Sequence, residues 1–205
     1  MTRTLGLAYP FSGRWLVQNS PADRVPSHGT RLFATAYAID FVPVDERGRT
    51  ARVSLTSILR PEPPGRFPGF GRVLTAPAAG VVAALHGREP DHDAFRGLPS
   101  ITYALTQRRR VADGWTELAG NYVIIEVRAG VFVALCHLQH SSIRVTVGQV
   151  VDPGDELGRC GNSGNSTEPH VHVQAMTGLD ARRASAVPVT FDGRLPRNGE
   201  VVDVP

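Results

Sequence analysis

Short runs of apolar, β-branched and aromatic residues recur along the chain, each bounded by glycine, proline, aspartate or asparagine. Such runs are typical of β-strands. They predict strands at residues 37–44, 80–85, 122–128, 131–138 and 170–175. Ala129-Gly130 predicts a tight hairpin between two of these strands, and Pro153-Gly154-Asp155 predicts another turn. Because no long stretch keeps a helical period, the pattern predicts an all-β fold.

Two segments between the predicted strands have the composition of loops. Residues 60–71 contain four prolines and three glycines, and residues 87–97 are polar. We interpret both as long surface loops within one domain rather than as linkers between domains. Long loops on a small β scaffold commonly form the walls of a binding groove.

Length and charge narrow the classes of function. A chain of 205 residues can bury an adequate core without a metal or a disulfide, so we expect any metal to be catalytic rather than structural. All 22 basic residues are arginine and the net charge is only +3. The densest basic run, Arg108 to Arg110, lacks interleaved aromatic residues, so we predict an exposed face and no nucleic-acid partner.

The amino terminus lacks the pattern of a signal peptide, because glycine and proline break its apolar stretches. No segment reaches the roughly 18 apolar residues that a spanning helix needs, so we predict no membrane span. As given, the sequence predicts a cytoplasmic protein; an exported or wall-associated protein is the alternative, if the chain is trimmed or leaves by an unconventional route. Cys136 and Cys160 are expected to be reduced thiols, with a single disulfide as the alternative.

The most informative segment is residues 161–173, where a turn rich in Gly, Ser and Asn precedes His170-Val171-His172. Side chains alternate along a strand, so both histidines are expected on one face, beside an open loop. This arrangement suits a divalent metal, with one imidazole as ligand and the other as a second ligand or as the base for bound water. A His-x-His pair alone is weak evidence, because most such pairs are structural.

Further motifs stand in a defined order around this pair. They are APAAGVV (76–82), GNYV (120–123), CHL (136–138), VGQVV (147–151), GDELG (154–158), GNSGNSTEPHVH (161–172) and VPVTF (187–191). Over residues 70–191 this order resembles the lysostaphin/LytM-type zinc metallopeptidases, which cleave peptide bonds in bacterial peptidoglycan. The resemblance implies a mainly antiparallel β-sheet scaffold of the LytM-peptidase (duplicated hybrid motif) type, with long loops that wall a narrow substrate groove.

The resemblance also implies three zinc ligands. The family uses a histidine and an aspartate of an early His-x-x-x-Asp motif and the second histidine of the late pair, which is His172 here. Asp40 matches the aspartate, since it interrupts an apolar strand where a buried charge needs compensation. The position four residues before Asp40 is Ala36, which cannot bind metal. We therefore assign the remaining ligand to His28, brought back by a loop at residues 30–35, so that the first 69 residues supply the early ligands.

Three protein ligands leave one position for a water molecule, whose pKa zinc lowers to about 7. By resemblance, His137 and His170 are the two catalytic imidazoles, and either could take the proton of the water and deliver it to the leaving amine. We expect His137 to face the groove because Cys136 and Leu138 occupy the opposite face of the strand. The remaining histidines are expected at the surface: His86 and His92 in the polar loop, and His140.

The sequence thus predicts that residues 1–205 form one zinc metalloendopeptidase domain acting on a peptide or on peptidoglycan, in its cross-links or its stem peptides. Two other classes stay open. One is a catalytically idle regulatory or binding domain of the same fold. The other is a phosphocarrier of the sugar-transport system, which also uses paired histidines.

Overall fold

A computed structural model describes residues 4–51, 59–97, 99–100 and 114–205. These ranges contain the strands β1 Leu5–Leu7, β2 Gly13–Gln18, β3 Ile39–Pro43, β4 Val73–Thr75, β5 Gly80–His86, β6 Asn121–Arg128, β7 Val131–Leu138, β8 Val150–Val151, β9 Glu156–Arg159, β10 Val171–Met176, β11 Ala186–Val187, β12 Val189–Phe191 and β13 Val201–Val204. The helical segments that lie wholly within them are the α-helix Trp115–Ala119 and the 3-10 turns Leu32–Tyr37 and Pro64–Arg66. The predicted all-β class is confirmed.

One large antiparallel sheet organises the molecule. Its strands follow the order β13-β2-β3-β10-β7-β6-β5-β8, and β11 pairs with β10. The pairing of β1 with β12 is parallel, and β4 pairs with β9 in a separate two-stranded ribbon. Strands β2 and β3 sit between β13 and β10, so the amino-terminal part of the chain lies directly against the strand that carries His172.

The central strands alternate between two faces of this sheet. On one face lies the main hydrophobic core, to which β3 contributes Ile39 and Phe41, and β10 contributes Val171 and Val173. A ring cluster stiffens this core through edge and stacked contacts: Tyr9, Phe11, Trp15, Phe41 and Phe191. The polar residues Asp40, His172 and Gln174 occupy alternate positions of β3 and β10, so the opposite face can carry chemistry without disturbing the core.

Several local predictions can be compared with these elements. The hairpin at Ala129-Gly130 joins β6 to β7, and the turn at Gly154 follows β8. The predicted strand at 37–44 is shorter, Ile39–Pro43, because the chain before it winds into a 3-10 turn. The prediction that His86 lies in a loop is wrong, since it ends β5 and stacks on Tyr122.

The two predicted loops are less exposed than expected. Glu62 and Phe67 are buried, and Glu62 forms an isolated β-bridge with Ala94 and an ion pair with Arg96, at 2.6 Å between the charged atoms. These contacts hold 60–71 against 87–97, a pairing that local composition does not reveal. The arginine run 108–110 lies outside the described residues.

Cys136 and Cys160 are free and buried, and burial raises the pKa of both thiols. Among the described residues, no helix combines the length and the apolar character required to cross a bilayer.

Candidate metal centre

A groove of about 370 Å³ opens on the face of the sheet opposite the main core. Its volume is typical of sites that hold small ligands or short peptide segments. The walls include every residue that the sequence proposed for catalysis or metal binding: His28, Asp40, His137, His170 and His172. These residues come from four separate stretches of the chain.

Asp40 and His172 are brought together by strand register. They lie directly opposite each other on the paired strands β3 and β10, where facing side chains are neighbours. Nδ1 of His172 is 2.9 Å from one carboxylate oxygen of Asp40. Both side chains are almost fully buried, so the pair is a fixed feature of the sheet.

His28 reaches the same carboxylate across the twelve-residue separation that the sequence required. Its Nε2 lies 3.1 Å from the second carboxylate oxygen of Asp40. The return of the chain is fixed by Ser27, whose backbone N–H donates to the carbonyl of Ala36 at 3.0 Å. Ala36 therefore anchors the loop that delivers His28. Loop closure over this length adds little entropic cost, because that cost grows only logarithmically.

The electrostatics of this cluster favour a cation. Burial acts to raise the pKa of the Asp40 carboxyl, but the charge of His28 and the hydrogen bonds from His172 and His28 outweigh it and hold that pKa well below its usual range. Burial acts to lower the pKa of His172, but its hydrogen bond to Asp40 and the charge of Asp40 raise it overall. Asn19 donates a further hydrogen bond to Asp40 at 2.7 Å. Asp40 is thus an anionic acceptor that faces two imidazoles.

One donor atom from each of His28, Asp40 and His172 lies within 4.8 Å of the other two. Two imidazole nitrogens and one carboxylate oxygen form a ligand set that zinc uses in three-ligand sites with an open position. The donor chemistry of the residues present therefore fits that metal.

His137 enters the groove by a route that strand alternation did not predict. Along β7, Cys136 lines the groove while Leu138 packs in the main core, so the expectation that both occupy the opposite face is wrong. The register with β6 shifts here, since Tyr122 pairs with Cys136 and Asn121 with Leu138. His137 is the extra residue of a β-bulge and has a φ of 65°. The bulge turns its side chain to the groove.

The orientation of the His137 ring is fixed by the loop at 161–167. Its Nδ1 lies 2.9 Å from the carbonyl oxygen of Ser163, so Nδ1 carries the hydrogen and Nε2 is left as the acceptor. Gly120 allows this loop to approach: it has a φ of 62°, and a Cβ there would lie 2.6 Å from the Ser163 carbonyl carbon. Burial, then the neighbouring His170 and His172, lower the pKa of His137 well below its usual 6.5.

His170 lies just before β10 and is held in the same way. Its Nδ1 is 2.8 Å from the carbonyl oxygen of Glu168, which identifies Nδ1 as the donor. Its Nε2 lies 3.8 Å from an oxygen of Asp40. The ring centroids of His137 and His170 are 4.6 Å apart. Two imidazoles therefore stand side by side next to the candidate ligands.

Gln174 is a residue of this centre that sequence reasoning missed. It follows His172 by two positions on the same face of β10, and its Oε1 is 3.0 Å from Nε2 of His172. Its amide nitrogen donates to the carbonyl oxygen of Phe33 at 3.0 Å, which fixes the orientation of the amide. Oε1 therefore accepts from Nε2–H of His172 and directs Nδ1 at Asp40. The period of two from His172 was the available signal.

The remaining histidines lie away from the ligand cluster. His140 is exposed, as expected. His92 is half-buried rather than exposed, because its Nε2 lies 2.9 Å from the carbonyl oxygen of Gly164. It braces the loop that holds His137.

Comparison of the sequence with known proteins finds one matching family. The sequence model of peptidase family M23 matches residues 102–185. Over this segment, which is less than half of the chain, the sequence resembles that family. This M23 segment contains His137, His170 and His172, whereas His28 and Asp40 precede it and are joined to it by the folded structure.

Glycyl-glycine endopeptidase ALE-1 of Staphylococcus capitis is 29% identical to the chain over 99 residues, which are 48% of this chain and 27% of that protein. The chain thus spans about a quarter of the length of this curated relative.

Two solved structures resemble the chain. The catalytic domain of lysostaphin from Staphylococcus simulans has 18% identity and a TM-score of 0.41, covering 73% of this chain and 74% of that one. The deep-sea M23 metalloprotease pseudoalterin has 14% identity and a TM-score of 0.49, covering 98% and 95% respectively.

Proposed function

We propose that the chain is a zinc-dependent endopeptidase that hydrolyses amide bonds of peptides, with peptidoglycan cross-links or stem peptides as its substrate class. The observation that supports this proposal best is the convergence of His28 and Asp40, from outside the M23 segment, on His172 within it. An idle binding domain of the same fold would not need this convergence.

In this proposal His28, Asp40 and His172 hold the metal. When bound, zinc supplies Lewis acidity, which activates water at neutral pH and polarises the peptide carbonyl. Asn19 and Gln174 keep the ligands oriented through their hydrogen bonds to Asp40 and His172. Loss of such a supporting contact typically lowers metal affinity or activity by about 10- to 100-fold.

His137 and His170 move the proton. His137 is neutral at pH 7, because its pKa is lowered, and its Nε2 is the free acceptor. It is therefore suited to accept a proton from water as general base. His170, with Nδ1 held by a carbonyl, likewise presents Nε2 and can deliver a proton to the leaving amine. Both roles require the ring orientations that the loop at 161–168 imposes.

The substrate class is supported by two observations. The curated relative is, by its name, a glycyl-glycine endopeptidase, and it shares 29% identity over 99 residues with this chain. The groove is open and has both polar and apolar walls, which suits an extended peptide better than a small buried metabolite.

Metal content and hydrolysis test this function together. Purified protein is expected to hold about one zinc per chain and to release new amino termini from purified peptidoglycan. A chelator should remove the metal and the activity, and added zinc should restore both. Protein that stays free of zinc under zinc-replete conditions, or that holds zinc but cuts neither bridge nor stem peptides, would contradict the proposal.

A prediction on Gln174 tests the arrangement around the metal. Gln174→Leu removes the acceptor for Nε2–H of His172, so His172 loses its fixed orientation and zinc affinity should fall by about 10- to 100-fold. Gln174→Glu is the matched control, because it keeps an acceptor at the same place and should bind zinc more tightly than the leucine variant. Competition with a chromogenic chelator measures both affinities; equal affinities would show that Gln174 does not orient the ligand.

A further inference from the structure

One carboxylate oxygen in the groove has no hydrogen-bond partner. Oε2 of Glu168 is buried and forms no hydrogen bond. Glu168 as a residue is only half-buried and lines the groove, so rotation about its side-chain bonds can present the carboxylate to a ligand. A buried carboxylate oxygen without a donor is costly, and natural proteins rarely keep one without a use.

The other carboxylate that lines the groove among the described residues is Asp40, and it is fully engaged. Its oxygens accept from Asn19 and face His28 and His172. Glu168 is therefore the acidic group of the described groove that stays available for a substrate.

Glu168 lies next to His170, the proposed acid/base residue. Its backbone carbonyl oxygen is the atom that orients His170, at 2.8 Å from Nδ1. The same carbonyl accepts from the hydroxyl of Ser166, also at 2.8 Å, and Pro169 restricts the backbone on its other side. The backbone of Glu168 is thus fixed beside the proposed acid/base group, while no hydrogen bond holds Oε2 of its side chain.

We propose that Glu168 is a specificity-determining residue that binds a primary ammonium group of the peptide substrate close to the bond that is cut. The inference rests on the proposed peptidase function. A carboxylate only accepts hydrogen bonds, and an ammonium group supplies three donors together with the opposite charge. Diamino-acid side chains and free amino termini carry this group; neutral glycine-only segments do not.

The experiment compares two peptides that differ in one charge. Both are stem peptides with the same sequence and a lysine side chain, free in one and Nε-acetylated in the other. Acetylation removes the charge and keeps the whole aliphatic chain of the lysine. The wild-type protein is expected to show a kcat/KM at least about tenfold higher for the free amine, the size of one charged hydrogen bond in a partly buried site.

Three variants test whether Glu168 causes the difference in kcat/KM between the two peptides. Glu168→Gln keeps the shape of the side chain and removes its charge, so the preference should fall to about one. Glu168→Asp keeps the charge and should retain part of the preference. Glu117→Gln is the control: Glu117 is exposed on the helix Trp115–Ala119, whose residues Trp115, Leu118 and Ala119 line the groove, and this variant removes the same charge without touching the pocket.

The outcomes separate the two proposals. If the wild-type protein cuts both peptides equally, or if Glu168→Gln keeps the wild-type preference, the role of Glu168 is wrong while the peptidase function stands. A proportional loss of both rates in Glu168→Gln, with zinc content unchanged, would also overturn it, because a purely structural role gives that result. If the zinc-loaded wild-type protein cuts neither of these peptides nor purified peptidoglycan, the proposed function fails, and the inference fails with it.

Discussion

His28→Ala is expected to lower zinc affinity by more than about 100-fold, as much as His172→Ala does. Each substitution removes one of three metal ligands, and the loss of a ligand costs at least as much as the loss of a residue that only orients one. The cost should appear in metal content after dialysis against a weak chelator and in the loss of hydrolysis. Among the site residues, His28 is the one whose role departs most from the spacing typical of the resembling family.

The matched control is His140→Ala. His140 is exposed, and its ring contacts a backbone carbonyl at 3.3 Å, outside the groove. This variant removes a histidine from the same chain without touching the groove, so zinc content and turnover should match the wild type. If His28→Ala keeps its zinc and its activity, the assignment of the early ligand is wrong.

The sequence predicted the strands around this centre because their signals are local. Alternation in β3 and β10 placed apolar residues on one face, and the carboxylate of Asp40 stood out against that pattern. The hairpin at Ala129-Gly130 was also predictable, since two residues with this turn chemistry join adjacent strands. Where a side-chain period of two decides the outcome, the sequence is sufficient.

The approach of His28 to Asp40 is a hypothesis that the sequence suggests and that only the folded chain can test. No local pattern indicates that Ser27 will bond to Ala36, because that contact depends on how the intervening turn closes. The turn includes Phe33 and Ala34, both with positive φ, a conformation that local propensity disfavours for these residues. Tertiary contacts, including the bond from Gln174 to the Phe33 carbonyl, hold it in place.

The direction of His137 shows a different limit. Simple alternation treats Cys136, His137 and Leu138 as part of a regular strand. It correctly predicts that His137 faces the groove, but it wrongly places Cys136 on the opposite face. A bulge with a φ of 65° at His137 breaks the alternation. A non-glycine residue in this region costs roughly 1 kcal/mol or more, and such strain is commonly found at functional sites. The identities of these three residues do not indicate that a bulge forms here.

His137→Ala and His170→Ala are each expected to lower kcat by about 100-fold or more while zinc stays near one per chain. The physical reason is that different residues of the groove bind the metal and transfer the proton. His28, Asp40 and His172 hold the donor atoms that converge, whereas Nδ1 of His137 and of His170 is bound to a backbone carbonyl and each Nε2 is left for proton transfer. Removing a general acid or base typically costs about 10²- to 10⁴-fold.

The pH dependence adds a second readout to this prediction. Because burial and the two neighbouring imidazoles lower the pKa of His137, this group stays neutral at pH 6.5, and a cation bound beside it would lower the pKa further. The acidic limb of kcat/KM that His137 causes should therefore lie below pH 6.5 in the wild type and disappear in His137→Ala. Metal analysis and steady-state rates on the same preparations distinguish the alternatives. Loss of zinc together with activity in both variants would mean that these histidines are ligands, and the assignment of roles within the groove would have to be reversed.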